Sequence, residues 1–190
     1  DFILRAAVST ATARPNYYSL SPFVNLIPDD QTIDAGNADL KAAFAWNYDL
    51  MAEYYFKSVG LISGGAFYKK VNNFIYKHRD EAFTNSKFTA AFPDVENPVP
   101  TGENWLLTQY RNGENVDVYG FEVAVQRQLD FLPGKFLKGF GIYTNYTYTK
   151  SKAKGIYSNE GDLREGIMLP GTAPHMFNAS LSWENKVFSA

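Results

Sequence analysis

The chain has 190 residues, a formal net charge of −2 and no cysteine. This length corresponds to one ordinary domain, and the charge balance lacks the basic excess that nucleic-acid binding needs. The absence of cysteine excludes a disulfide scaffold and thiolate metal sites. No run of 18 apolar residues occurs, which argues against a transmembrane helix. Aromatic residues make up 16% of the chain, and a membrane interface is one environment that accommodates such a surplus.

Apolar and polar residues alternate along most of the chain, which predicts β-strands rather than helices. The first predicted strand spans 2–12, and its apolar positions are Phe2, Leu4, Ala6 and Val8. The second spans 43–57, with an apolar face made of Phe44, Trp46, Tyr48, Leu50, Ala52, Tyr54 and Phe56. Its other face is polar and carries Asn47, Asp49 and Glu53. A third strand is predicted over 60–77, but Gly64 and Gly65 blur its phase, so its two faces cannot be assigned.

The clearest alternation lies in the fourth predicted strand, 116–131. Its apolar face contains Tyr119, Phe121, Val123, Val125, Leu129 and Phe131, with Arg127 as the exception. Its polar face carries Glu122, Gln126 and Gln128. The fifth and sixth strands are predicted over 138–151 and 175–186. Their aromatic positions include Phe140, Tyr146, Tyr148 and Trp183.

Long and short connections alternate along the chain. The connections 13–42, 78–115 and 152–174 are long, whereas the second and third strands, and the fourth and fifth, are joined by short turns. Outer-membrane barrels show this alternation, with short periplasmic turns and long extracellular loops. All nine prolines fall outside the six strands, as ladder hydrogen bonding requires. The sequence therefore predicts an all-β fold, an antiparallel segment of about six strands from a transmembrane β-barrel.

This interpretation assigns a role to each face of the strands. The predicted membrane-facing aromatic girdle consists of Trp46, Tyr48, Tyr54, Phe56, Tyr119, Phe131, Phe140, Tyr146, Tyr148 and Trp183. The positions predicted to face the lumen or a plug are Asn47, Asp49, Glu53, Glu122, Gln126 and Gln128. The alternative is a soluble all-β domain, such as a carbohydrate-binding sandwich, whose strands also alternate.

Three stretches resemble the TonB-dependent receptor family of outer-membrane transporters. Residues 4–23 (LRAAVSTATARPNYYSLSPF) are similar to a strand that ends in an Arg-Pro pair before an extracellular loop. Residues 36–41 (GNADLK) are similar to the Gly-Asn-Pro loop exit that precedes a descending aromatic strand in the family. Here Ala38 replaces that proline, and Ala42 stands where a second proline is common. Residues 169–190 (LPGTAPHMFNASLSWENKVFSA) are similar to the family's Pro-Gly-x-x-x-His lead into a late barrel strand.

The resemblance covers nearly the whole chain and implies a 22-stranded barrel in the outer membrane of a Gram-negative bacterium, with a plugged lumen. It implies outer-membrane lipid, the receptor's own plug domain (not in this chain) and TonB, through the plug, as partners. The ligand would be a siderophore, cobalamin, a carbohydrate or a peptide. Six strands cannot close such a barrel, so the chain is expected to be part of a longer protein. A passive porin-type barrel remains the other membrane alternative.

No residue constellation predicts catalysis, a cofactor or a metal centre. The only histidines, His78 and His175, are expected at the start of a loop and of a strand, without acidic residues at ligand spacing. Asp29-Asp30 and Asp80-Glu81 are acidic pairs in the long connections, and a calcium ion bound there stays open. The candidates for ligand contact are aromatic residues in the long loops, namely Tyr17, Tyr18, Trp105, Tyr110 and Tyr157.

Overall fold

The computed structural model describes residues 1–159, 162–169 and 171–184. In chain order its elements are β1 (Phe2–Ala13), α1 (Tyr17–Leu20), β2 (Val24–Ile27), a 3₁₀ turn (Pro28–Asp30), β3 (Thr32–Ala35), β4 (Ala43–Tyr55), β5 (Gly60–Asn72), β6 (Ile75–Thr84), α2 (Asn85–Ala91), β7 (Asn104–Asn112), β8 (Asn115–Gln128), a second 3₁₀ turn (Leu137–Gly139), β9 (Phe140–Ala153), β10 (Ile156–Tyr157), β11 (Leu163–Arg164) and β12 (His175–Trp183). None of the helices among these residues is long and apolar enough to cross a membrane.

Six long strands form one antiparallel sheet in the order β1-β4-β5-β8-β9-β12. Strands that follow one another in this list are neighbours in space, so the sheet is a meander whose two edges are β1 and β12. The strands have 9–14 residues, enough for a tilted crossing of a bilayer. The predicted fold class is confirmed: the chain is an all-β, partial barrel, and the barrel is not closed within it.

The three long connections leave the sheet at one end of its strands, and the two short ones leave at the other end. The first short turn is closed by a 3.0 Å bond from the amide of Phe56 to the carbonyl of Gly60. The second lies between Gln128 and Phe140 and contains the 3₁₀ turn Leu137–Gly139. Residues 129–131, which were predicted to continue the fourth strand, belong to this turn, where the Leu132 amide bonds back to the Leu129 carbonyl.

The third predicted strand, 60–77, is two strands rather than one. β5 ends at Asn72 because Asn73 adopts a left-handed conformation, with φ at 53°. The chain then resumes as β6, which pairs with β7 instead of with the main sheet. On the opposite side of the bend, the Asn73 amide donates to the Glu114 carbonyl and the Gly113 amide to the Phe74 carbonyl, so the hairpin continues through the bend. Asparagine is one of the few residues that adopt this conformation readily, so it marks the joint.

The long connections were predicted as loops, and this is wrong for much of their length. They form a second sheet of four strands in the order β2-β3-β7-β6, in which β3 runs parallel to β7. This second sheet starts from the long hairpin in which β5 pairs with β8, because β6 and β7 continue that hairpin beyond the bend. The segment after β1 then adds β3 and β2 to the free side of β7. We call this sheet, with α2 at its tip, the loop domain.

The loop domain contains the main hydrophobic core of the described residues. Its buried side chains are Ile33, Ala35, Phe83, Phe88, Val99, Trp105 and Leu107. A smaller cluster of Phe74, Val116 and Ala153 lies at the bend between the two sheets. The six-stranded sheet, in contrast, leaves most of its apolar side chains exposed.

The third long connection packs against the outer edge of β6. There the Glu81 amide donates to the Asn159 carbonyl at 3.0 Å, and the Asn159 side-chain amide donates to the Glu81 carboxylate at 2.9 Å. Short strands β10 and β11 pair within this connection. β12 follows it, and the last two residues of the predicted strand 175–186 lie outside the described residues, as does Pro170 of the Pro-Gly-x-x-x-His stretch.

Candidate functional site

The register of the six strands separates two faces of opposite chemistry. Directly paired residues of neighbouring strands point to the same side of a sheet. One continuous row across five strands therefore contains Leu4, Ala52, Gly64, Val123 and Tyr146. The next row, one residue along, contains Arg5, Met51, Gly65, Glu122 and Thr147 on the opposite side. We call the two sides the apolar face and the polar face.

The predicted girdle residues of the strands share the apolar face. Trp46, Tyr48, Tyr119 and Tyr148 lie towards the long connections, and their rings form contacts such as Trp46–Tyr48, with centroids 6.3 Å apart. Tyr146 was predicted to lie at the same end, but it pairs with Val123 near the middle of the band. Tyr54, Phe140 and Trp183 lie towards the short turns. Phe56 and Phe131 lie just beyond the strand ends. The eleven residues from Tyr119 to Leu129, at a tilt typical of barrels, span a height of about 25 Å, which matches the apolar band of an outer-membrane barrel.

The register also settles the phase of β5, which the sequence left open. Ile62, Ala66 and Tyr68 lie on the apolar face, opposite Val125, Phe121 and Tyr119 of β8. Ser63 and Lys69 lie on the polar face. Leu61 and Phe67 also lie on the polar face, so apolar residues on both faces of β5, together with its glycines, hide the phase in the sequence.

All six predicted lumen-facing residues lie together on the polar face of the sheet. Their side chains project from β4 and β8, and they are Asn47, Asp49, Glu53, Glu122, Gln126 and Gln128. The Asn47 amide reaches Ser9 on β1 at 3.4 Å, and the Gln128 amide donates to the Lys138 carbonyl at 3.1 Å. These bonds connect neighbouring strands and the second short turn.

Glu53 is the most buried of the six, and it lies at the centre of a small polar network. It forms an ion pair with Arg5 on β1 and accepts a 2.8 Å hydrogen bond from the hydroxyl of Tyr55. Sequence analysis did not single out Tyr55. The signal was present, because Glu53 and Tyr55 are two residues apart in one strand and so point to the same side.

A shallow cavity of about 190 Å³ lies on the polar face near Glu122. Its lining includes Gly65, Asn145 and Thr147. An added Cβ at Gly65 would lie 3.0 Å from the Leu50 carbonyl, so a side chain there would crowd β4. The polar face is therefore a shallow hydrogen-bonding surface rather than an enclosed pocket.

Four of the five predicted ligand-contact rings are exposed at the long-connection end. Tyr17 is 91% exposed on α1, and Tyr18 beside it packs on Phe23 with centroids 4.4 Å apart. Tyr110 is exposed near the end of β7 and Tyr157 on β10. These four rings project from three elements, α1, β7 and β10, so together they form a dispersed aromatic surface.

Trp105 differs from the other four, and its prediction as an exposed ring is wrong. It is only 4% exposed because it lies on the inner side of β7, in the core of the loop domain. The alternation of Trp105 with Leu107 is itself the mark of a half-buried strand, and it was overlooked because the whole stretch was taken as a loop.

The two histidines occupy different surroundings. His78 was expected to open a loop, but it lies in β6 and is 2% exposed, with the rings of Tyr76 and Tyr157 edge-on to it. Burial lowers the pKa of its imidazole, and the positive charge of Arg111 acts in the same direction. His175 begins β12, as expected, and its Nδ1 lies 2.7 Å from the Tyr146 hydroxyl.

The acidic pairs predicted in the loops do not converge. Asp80 forms an ion pair with Lys87 at 2.8 Å, and its other oxygen accepts the Ala82 amide. Asp29 and Asp30 lie in the first 3₁₀ turn, on the other side of the loop domain. Within the described ranges, no three metal-ligating side chains come together.

Comparison with known protein families assigns the chain to a family. The family model described as "TonB dependent receptor-like, beta-barrel" matches residues 1–189. The chain belongs to this family. The resemblance found in the three sequence stretches is therefore confirmed. Proteins of the family lie in the outer membrane of Gram-negative bacteria. A comparison with curated proteins gives no match.

Solved receptors with the same fold include the siderophore receptor PirA of Pseudomonas aeruginosa, which is 18% identical with a TM-score of 0.57 over 96% of this chain and 24% of its own. The ferric enterobactin receptor PfeA of the same organism, in complex with enterobactin, is 20% identical with a TM-score of 0.58 over 96% and 24%. PirA of Acinetobacter baumannii is 20% identical with a TM-score of 0.60 over 98% and 25%. The chain thus spans about a quarter of the length of these receptors.

Proposed function

We propose that this chain is part of the barrel wall of an outer-membrane receptor that captures a scarce ligand at the cell surface and imports it in a TonB-dependent manner. The observation that supports this best is the register, which places a band of apolar and aromatic side chains on one face of six long strands and polar side chains on the other. A barrel wall between lipid and a hydrated lumen requires this separation. The protein would transport its ligand and would carry out no catalysis of its own.

The apolar face is assigned to the lipid. Its exposed side chains include Phe2, Leu50 and Phe177, and exposure of so large an apolar surface to water would be unfavourable. In lipid the same surface is at no disadvantage. The aromatic residues at the two ends of the band would then lie at the two membrane interfaces.

The polar face is assigned to the lumen and to the plug of the complete receptor. The network of Arg5, Glu53 and Tyr55 offers charged and hydroxyl groups at the level of the bilayer, where only a hydrated lumen or a polar plug surface can solvate them. The side chains of Glu122 and Asn145 extend the same surface across β8 and β9.

The long-connection end is assigned to the cell exterior and to the first contact with ligand. Exposed rings at this end suit a ligand that presents aromatic or apolar surface, and Tyr17 and Tyr110 are the leading candidates. Tyr18 and Tyr157 are secondary, because each already packs against a neighbouring ring. Trp105 is left out, because its ring is enclosed in the loop domain.

The location of the native protein tests the membrane part of this proposal. Source cells are fractionated and probed with an antibody against this segment. We expect a heat-modifiable band of full receptor size in the outer-membrane fraction. A soluble band near 21 kDa would contradict the proposal and favour the soluble carbohydrate-binding domain.

Uptake by the complete receptor tests the transport part. Cells expressing it are supplied with labelled ferric siderophores, cobalamin, oligosaccharides or peptides in turn, with and without TonB. We expect uptake of one class that is lost without TonB, and a raised half-saturation concentration for Tyr17→Ala or Tyr110→Ala. Phe136→Ala, an exposed ring at the short-turn end, is the matched control. Uptake that persists without TonB would instead indicate a porin-type barrel.

A further inference from the structure

The sheet of the loop domain has one covered edge and one open edge. The third long connection covers the edge at β6, through the bonds between Glu81 and Asn159. At the other edge lies β2, which pairs with β3 and with no further strand of the described residues. The free N–H and C=O groups of an edge strand are a template for another strand. β2 is therefore the place in the loop domain where an additional strand fits.

The backbone of β2 presents a defined set of hydrogen-bonding groups. The Gly36 amide donates to the Phe23 carbonyl at 3.0 Å, and this bond fixes the phase of the ladder between β2 and β3. Only alternate residues of an edge strand bond to its neighbour, so the N–H and C=O groups of Val24 and Leu26 point away from β3. Nothing in the part of the chain that the structure describes bonds to these four groups.

The hydrophobic core of the loop domain is also incompletely covered at β2. Ile33 and Ala35 of β3 are buried, at 1% and 3% exposure, whereas their partners Leu26 and Val24 are only half-buried. A strand added beside β2 would place every second side chain on this inner side, next to Leu26 and Val24. Apolar side chains at those positions would complete the burial of the core.

The segment that forms the open edge is acidic. Residues 15–40 contain four aspartates, and no lysine or arginine occurs among them. Asp29 and Asp30 follow β2 directly and are exposed, and Asp34 projects from the outer side of β3. The ion pairs between the residues that the structure describes involve none of these three carboxylates. Basic side chains on the outer side of an added strand would therefore be attracted to this edge.

We propose that β2 captures a basic peptide in an extended conformation, an inference that rests on the proposed function and selects peptide among its ligand classes. The peptide pairs as an added strand with the free backbone groups of Val24 and Leu26, which is an established mode of peptide recognition. We assign the antiparallel direction, which is the more stable pairing. Apolar side chains of the peptide lie against the core, and its basic side chains lie on the outer side, where Asp29 and Asp30 attract them.

Binding of a synthetic peptide to the detergent-solubilised complete receptor tests this inference. The probe is a short, end-blocked peptide of alternating lysine and valine, labelled with a fluorophore and followed by anisotropy. We expect it to bind more tightly than its glutamate–valine counterpart. Backbone N-methylation at the valines, which face the core and donate to β2, should weaken binding roughly twentyfold, because two hydrogen bonds are lost at about fivefold each. Backbone N-methylation at the lysines, whose N–H groups point away from β2, is the matched control and should leave binding unchanged.

Hydrogen exchange of the receptor locates the bound peptide. The amides of Val24 and Leu26 should exchange more slowly with the probe bound, because they then donate to it. The amide of Asn25, which already bonds to β3, should not change. Slow exchange at Val24 and Leu26 without the probe would show that another part of the receptor occupies the edge, and this would overturn the proposal.

Two charge variants test the acidic part of the site. Asp29→Asn/Asp30→Asn should weaken binding of the probe about fourfold, since each exposed ion pair contributes about twofold. Asp162→Asn/Glu165→Gln removes the same charge from the third connection, which covers the opposite edge, and should bind like the wild type. An equal loss in both variants, or equal binding of the glutamate–valine peptide, would overturn the proposal.

Uptake by cells separates a failure of this inference from a failure of the proposed function. TonB-dependent uptake of a siderophore, cobalamin or an oligosaccharide by a receptor that does not bind the probe would overturn the peptide inference alone. Binding of the probe with all the expected signatures, but without TonB-dependent uptake of any ligand class, would support the peptide site and contradict the proposed transport.

Discussion

Apolar and polar residues alternate in both sheets of this chain, but the apolar side chains are buried in one sheet and exposed in the other. In the loop domain the apolar side chains face one another, and Phe88 is fully buried at 0% exposure. In the six-stranded sheet the apolar side chains face outward, and Phe177 is 69% exposed. The hydrophobic effect drives the side chains of the loop domain together, away from water. The six-stranded sheet is held by ladder hydrogen bonds between long strands, and its apolar surface is the one that we assign to lipid.

This difference shows that the alternation in a strand does not reveal what its apolar face contacts. β5 and β6 are consecutive in the chain, yet β6 buries Phe83, whereas β5 leaves Ile62 and Tyr68 exposed. The bend at Asn73 changes the environment, and the two sheets meet at the small cluster around Phe74. A substitution in one sheet therefore tests whether the other sheet responds.

The largest effect is expected from Phe88→Ala. Removal of this fully buried ring from the loop core should cost about 3–5 kcal/mol of the free energy of local unfolding. Hydrogen exchange of the β7 amides, measured in the complete receptor, should accelerate accordingly, while the six-stranded sheet keeps its protection. Phe136→Ala removes the same group from an exposed position and should leave β7 unchanged. Equal acceleration in both sheets would show that they unfold as one unit.

A charge on the apolar face of the main sheet is expected to cost slightly less. Val123 lies halfway between the Tyr119 and Arg127 rows, so Val123→Arg would place a guanidinium near the middle of the bilayer, at about 2–4 kcal/mol. The matched variant is Ala124→Arg, whose side chain projects from the polar face. Urea titration of the receptor in lipid vesicles should show a lower unfolding midpoint for Val123→Arg alone. The same shift in both variants would contradict the assignment of the two faces.

The joint between the sheets should be sensitive to a single methyl group. The Phe74 ring covers Gly113 so closely that an added Cβ would meet it at 2.1 Å. Gly113→Ala should therefore displace the ring and cost about 1–3 kcal/mol. Exchange of the Val116 and Ala153 amides reports this loss. Combining the change with Phe74→Leu should recover part of it, and an additive loss would show that the ring is not the cause.

Much of the main sheet could be predicted from the sequence, because apolar and polar residues alternate along most of its strands. Tyr48 and Leu50 in β4, and Val123 in β8, belong to strict alternations of apolar and polar residues. A strand with such an alternation can be recognised without knowing which strand pairs with it. β5 was ambiguous because Gly64 and Gly65 contribute no side chain to either face. Only its pairing with Val123 and Glu122 reveals the phase.

The loop domain could not be predicted in the same way. Its sheet joins β3 to β7, which are about 70 residues apart in sequence, and a parallel pairing at this distance leaves no local turn signal. The burial of Trp105 and His78 follows from that pairing. The dispersed positions of Tyr17, Tyr110 and Tyr157 have the same cause, because their arrangement depends on how separate connections pack together.

The smallest effect is expected from pH, and it should be confined to the loop domain. The pKa of His78 is lowered by burial and by Arg111, with partial opposition from Asp80 and the Tyr157 carbonyl. The packed state therefore favours neutral imidazole, whereas the opened state protonates at the ordinary value of 6.5. Its stabilising contribution is complete above that value and is lost progressively as the pH falls below it. Exchange at Tyr157, corrected for intrinsic rates, should accelerate from pH 7 to pH 5, while β8 stays unchanged. His78→Gln should remove the pH dependence, and its persistence would assign the effect to another group, of which the Asp80–Lys87 pair is the nearest.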